Sequence, residues 1–104
     1  MGRVIAQVNY STDFTGGRTR AEKIKYAQEQ ENIPGFIWKY WLVNKDNGRG
    51  GGIFLFEDRA SAEAWVEARK TRTFPASTTN ITVELFDIDE ELSRISHAPL
   101  DLVE

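Results

Sequence analysis

A chain of 104 residues and 11.9 kDa with net charge −3 predicts one domain over residues 1–104, and 40% hydrophobic with 12% aromatic side chains suffices to pack its core. Zero Cys excludes disulfides, iron–sulfur clusters and thiolate zinc sites and fits a reducing cytoplasm, while a single His (His97) excludes a multi-histidine metal centre. No apolar run approaches the ~18 residues of a membrane span, and the acidic balance disfavours non-specific nucleic-acid binding, so neither is an expected partner.

Residues 3–10 alternate as a first strand, with Val4, Ala6, Val8 and Tyr10 on one face and Ile5, Gln7 and Asn9 on the other. A Thr15–Gly17 loop leads to Thr19-Arg20-Ala21-Glu22, a capping box that predicts a helix to about Glu31. Its apolar stripe (Ala21, Ile24, Ala27) is thin, and Pro34-Gly35 stops it. Phe36–Val43 is the richest strand. Strict alternation places Phe36, Trp38, Tyr40 and Leu42 on one face and Ile37, Lys39, Trp41 and Val43 on the other, so both faces are expected to be covered. Asn44–Gly50 is a hairpin turn around Asn47-Gly48, followed by a third strand, Gly51–Phe56. Asp58 is placed to N-cap a second helix to about Lys70, with Ala62, Trp65, Val66 and Arg69 on one face. A loop over Thr71–Thr79 contains Pro75, and Asn80–Ile88 alternates as a fourth strand. From Asp89 onward the chain reads as a short, acidic, solvated end.

The order β-α-β-β-α-β predicts the ferredoxin-like α+β fold: a four-stranded antiparallel sheet with two helices on one face. Apolar residues on both faces of the second strand predict a partner over the other face, most simply in a homodimer. Charge divides unevenly, +3 over residues 1–50 and −6 over 51–104.

Several chemistries fail on spacing. Arg49-Gly50-Gly51-Gly52 leads into a strand, so no helix N-terminus is there for a phosphate. Bare Gly51 and Gly52 are instead expected to leave open space where a ligand approaches the sheet. The RNA-recognition signature requires aromatic platforms where this chain has Gly51 and Ile53. His97 has no acid or nucleophile at catalytic spacing, no G-x-S-x-G elbow occurs, and Asp87–Glu91 lacks calcium-loop spacing. What remains is aromatic: Phe36, Trp38, Tyr40, Trp41, Phe54 and Phe56 supply half of the chain's twelve rings on one hairpin. They build either a core and dimer seam or an apolar pocket for an aromatic ligand, with Asn9, Gln7, Lys39 and Tyr40 as the polar strand residues able to orient it.

Pro34-Gly35-Phe36-Ile37-Trp38-Lys39-Tyr40-Trp41, Gly51–Asp58, Ser61-Ala62-Glu63-Ala64-Trp65 and Phe86–Ser93 with Ile95 resemble the YdhR-like monooxygenases. That resemblance implies a dimeric α/β barrel with the helices outside, and oxygenation of a small aromatic or polyketide-like compound, often with no metal or flavin cofactor. Haem-degrading monooxygenases of the same superfamily carry an Asn on the first strand, a Trp on the second helix and a His soon after. Asn9 and Trp65 look like the first two, but Arg69, Lys70 and Arg72 stand where the axial His belongs. The expected site is therefore a cofactor-free pocket lined by Trp38, Phe54 and Trp65, with Asn9 and Tyr40 orienting substrate or oxygen as catalytic residues. A cavity between the second helix and the sheet, faced by both Asn9 and Trp65, is what this assignment requires. The competing reading is a non-catalytic dimeric small-molecule-binding or stress-related domain, supported by the absence of an acid/base pair.

Overall fold

Strand β1 (Val4–Thr12) runs through the middle of a four-stranded antiparallel sheet, between β3 (Arg49–Phe56) and β4 (Thr78–Asp87), with β2 (Phe36–Asn44) beyond β3. Helix α1 (Arg20–Glu29) links β1 to β2 and α2 (Arg59–Arg69) links β3 to β4. This is the expected ferredoxin-like α+β arrangement. The computed structural model describes residues 2–13, 19–72, 74 and 77–101. The Thr15–Gly17 loop and Pro75 lie outside the described residues.

Local chemistry sets the element ends. The Thr19 hydroxyl accepts from the Glu22 N–H at 3.2 Å and the Glu22 carboxylate accepts from the Thr19 N–H at 3.0 Å, closing the capping box of α1. Asp58 accepts from the Ser61 N–H at 2.7 Å and caps α2. Gly48 takes φ +64 in the hairpin turn, as an Asn-Gly turn requires.

The core lies between the sheet and α2. Val4, Ala6 and Val8 of β1 meet Phe54 and Phe56 of β3 and Ala62 and Trp65 of α2, all buried. The Trp65 ring sits 4.4 Å from that of Phe54 and 5.6 Å from that of Phe56, so three aromatics account for much of the buried apolar area.

Two expectations are corrected. First, the β2–β3 register shifts between Phe36 and Trp38: Phe36 pairs with Phe56 but Trp38 pairs with Leu55. The bulge turns Phe36 to the helix side, against Phe54 at 6.4 Å, and leaves Trp38, Tyr40 and Leu42 on the far face. Strict alternation cannot anticipate an inserted residue. Second, the acidic end is structured. Asp89 accepts from the Leu92 N–H and caps a short helix α3 (Glu90–Ile95). Glu90 pairs with Arg3 at 2.8 Å, Asp101 also pairs with Arg3, and Asp87 pairs with Arg59 at 2.9 Å. Local acidic density reads as a solvated end because Arg3 lies 87 residues from Glu90 and Arg59 lies 28 from Asp87 in sequence.

Candidate functional site

Beside the packed core, the helix side of the sheet opens into a cavity of about 790 Å³. Val8 and Tyr10 of β1, Lys39 and Trp41 of β2, and Gly52 and Phe54 of β3 form its floor. Lys23, Ile24, Tyr26 and Ala27 of α1 form its roof, and Arg69, Arg72 and Phe74 close the α2 end. The cavity exists because α1 stands away from the sheet: none of its residues is buried, and Ile24 keeps 49% of its surface exposed. The edge of the Tyr26 ring rests on Trp41, centroids 5.8 Å apart.

Gly51 and Gly52 line the cavity as expected, but the space directly over each is tight. A Cβ on Gly52 would meet Lys39 Cε at 2.7 Å, and one on Gly50 would meet the Tyr10 ring at 2.8 Å. On Gly51 it would strike the Val8 carbonyl. Bare Gly52 thus borders the cavity and also makes room for the Lys39 side chain.

Cations and aromatic rings alternate around the cavity. Lys39 Nζ lies 3.3 Å from the Trp41 ring centre, 4.5 Å from Phe54 and 5.7 Å from Tyr26. The Arg69 guanidinium sits between Trp65 at 4.7 Å and Phe74 at 5.2 Å. The Arg72 guanidinium lies 5.4 Å from Tyr26 and 5.5 Å from Phe74. Burial, and then the positive charge of Arg72, hold the Arg69 guanidinium below its ordinary pKa.

The five residues singled out from the sequence divide between the two faces. Phe54 lines the cavity, and Trp65 packs directly behind it. Asn9 alternates with the buried Val8 and therefore points to the far face, as do Trp38 and Tyr40, whose rings stack 4.8 Å apart there. One pocket within a single chain does not contain all five. The space beneath α2 is filled by Trp65, and the cavity lies under α1 instead. Arg72, Tyr26 and Phe74 were not anticipated as site residues. A signal for Arg69 was present: an arginine on the apolar stripe of a helix is out of place unless its charge has work there. His97 is exposed in the left-handed turn after α3, at φ +71, and is absent from the cavity wall.

A split β-α-β sheet with a cavity under its first helix defines a ferredoxin-like α+β protein. Residues 5–99 match the family described as "Putative mono-oxygenase ydhR", and the chain belongs to that family. Among solved structures, the fold is shared with MhuD, a heme-degrading protein from Mycobacterium tuberculosis solved with two hemes bound in its active site. The TM-score is 0.55 at 18% identity, covering 83% of this chain and 95% of that one. No curated protein gives a significant match.

Proposed function

We propose that the cavity under α1 binds a small aromatic or polyketide-like compound and supports its mono-oxygenation with no metal or flavin cofactor. The observation that carries this reading is the cavity itself. Its volume falls within the roughly 300–1,000 Å³ of small-molecule sites, and Trp41, Phe54, Tyr26 and Phe74 supply flat apolar walls. The cations among those rings favour the ionised form of an acidic phenol, so a phenolate forms without a protein base. A substrate that gives up two hydrogens supplies both electrons: one oxygen atom of O₂ becomes a carbonyl on carbon, and the other leaves as water. Described lining residues include no carboxylate or imidazole, which fits a substrate that ionises in water.

The test is oxygen uptake with a panel of phenols and quinols in metal- and flavin-free buffer. Turnover that Phe54→Ala removes supports the cavity. If compounds bind but none consumes oxygen, the site is a non-catalytic binding pocket.

The far face belongs to the same proposal. Tyr40 is 55% exposed and Phe86 42%, and the buried Trp38 indole N–H has no acceptor among the described residues. We propose that a second copy covers these residues in a homodimer with the chain's single domain as its unit. Light scattering giving a mass near 11.9 kDa at working concentration refutes it. Asn9 and Tyr40 as orienting residues require substrate to reach this face, between copies. Asn9→Ala and Tyr40→Phe therefore compare the two surfaces directly: a loss of oxygen uptake as deep as that of Phe54→Ala moves the chemistry there.

A further inference from the structure

The cavity wall and the rest of the molecule have opposite charge. The whole chain is acidic, yet Arg20, Lys23, Lys39, Lys45, Arg69 and Arg72 all line the cavity, with no Asp or Glu among its described lining residues. The ion pairs of Arg3, Arg59, Lys70 and Arg94 lie elsewhere. Arg69 and Arg72 have no described carboxylate within ion-pair distance. They sit three residues apart around the shared Phe74 ring, and each also faces a second ring, Trp65 for Arg69 and Tyr26 for Arg72.

A packing role alone does not account for this pair. Two adjacent guanidinium groups repel each other, and burying one of them costs hydration; an aliphatic side chain would fill the same space without either penalty. An aromatic ring takes up the face of a guanidinium and leaves its in-plane N–H donors aimed outward. Those donors match a carboxylate in the bidentate geometry that arginine favours. An anion placed between them relieves both costs.

We infer that the cavity selects aromatic compounds bearing a carboxylate, the ring against Trp41 and Phe54 and the carboxylate on Arg69 and Arg72. This rests on the cavity being the ligand site and adds the chemical class of its ligand. The arginines are specificity residues here, since they reject the neutral analogue by leaving their own charge unanswered.

Calorimetric titration of the full chain with matched carboxylates and carboxamides of benzene, naphthalene and anthracene tests it. At least one carboxylate is expected to bind about tenfold or more tightly than its carboxamide, a difference that shrinks with added salt. The Arg69→Gln/Arg72→Gln double variant is expected to bind both partners of that pair alike, and Arg69→Lys/Arg72→Lys to restore part of the preference. Thermal melts identify any variant that fails to fold, and the wild-type comparison stands without them. Equal affinity for carboxylate and carboxamide overturns the inference and leaves the cavity reading intact. Binding of neither class overturns both. A preference that survives the double glutamine variant removes it from Arg69 and Arg72.

Discussion

The two long helices obey the same capping rules and differ completely in what they bury. Helix α2 sets Ala62 and Trp65 into the sheet, and its contacts extend to β1, β3 and β4. Helix α1 buries nothing. Its sequence, Arg-Ala-Glu-Lys-Ile-Lys-Tyr-Ala-Gln-Glu, offers one aliphatic side chain larger than alanine, so little hydrophobic gain draws it onto the sheet. The gap left beneath it is the cavity. One helix makes the fold, and the other leaves a cavity.

Substitutions can sharpen that contrast. Trp65→Ala is expected to cost about 3–5 kcal/mol in denaturant unfolding, because Phe54 and Phe56 lose a ring packed against both. Ile24→Ala on α1 is expected to stay within about 0.5 kcal/mol; equal costs would break the comparison. Gly35→Ala comes next. Gly35 holds φ +78 where the chain enters β2, and a Cβ there collides with Ser61 in the first turn of α2. A loss of about 2 kcal/mol by the same measurement is expected from the left-handed backbone alone.

The α2 cap adds a pH signature. The Ser61 backbone N–H, and then its side chain, hold the Asp58 carboxyl below its ordinary pKa. A depressed folded pKa contributes stability above the unfolded value of ~3.9 and loses it as pH falls through the folded one. The melting-temperature gap between the wild type and Asp58→Ala should therefore be flat from neutral pH to about 5 and close in stronger acid. A gap that widens in acid would reverse the sign argued here. Smallest in stability, and most telling for function, is Ala27→Trp. Ala27 is exposed on α1 and lines the cavity, so a large ring there should change stability by only about 0.5 kcal/mol while removing aromatic-ligand binding. Retained affinity in calorimetry would take the ligand out of this cavity.

Much of the fold is legible residue by residue. Thr19 with Glu22, Asp58 with Ser61 and Asn47-Gly48 are each complete within four residues, so neighbours alone decide the helix starts and the hairpin. Helix α3 is not legible in this way although Asp89 caps it similarly, because its six residues present no apolar stripe that buries. The site was legible only in parts. Phe54 and Trp65 could be chosen as large rings on elements facing one core. Asn9, Trp38 and Tyr40 could not be placed with them, because which face of a strand meets the helices is a property of the whole sheet.

By itself, then, the sequence determined the β-α-β-β-α-β order, the antiparallel sheet, the caps of α1 and α2, the hairpin turn, and the resemblance to a mono-oxygenase family that residues 5–99 match. These follow from short-range hydrogen bonding and from the periods of strand and helix. Tertiary structure decided the rest. The bulge before Trp38 chose which aromatics enter the core, the weak apolar face of α1 left a cavity instead of a seam, and chain folding brought Lys39, Arg69 and Arg72 together among rings. Lys39 and Arg72 belong to segments on either side of α2, and nothing local to either one records that they share a wall.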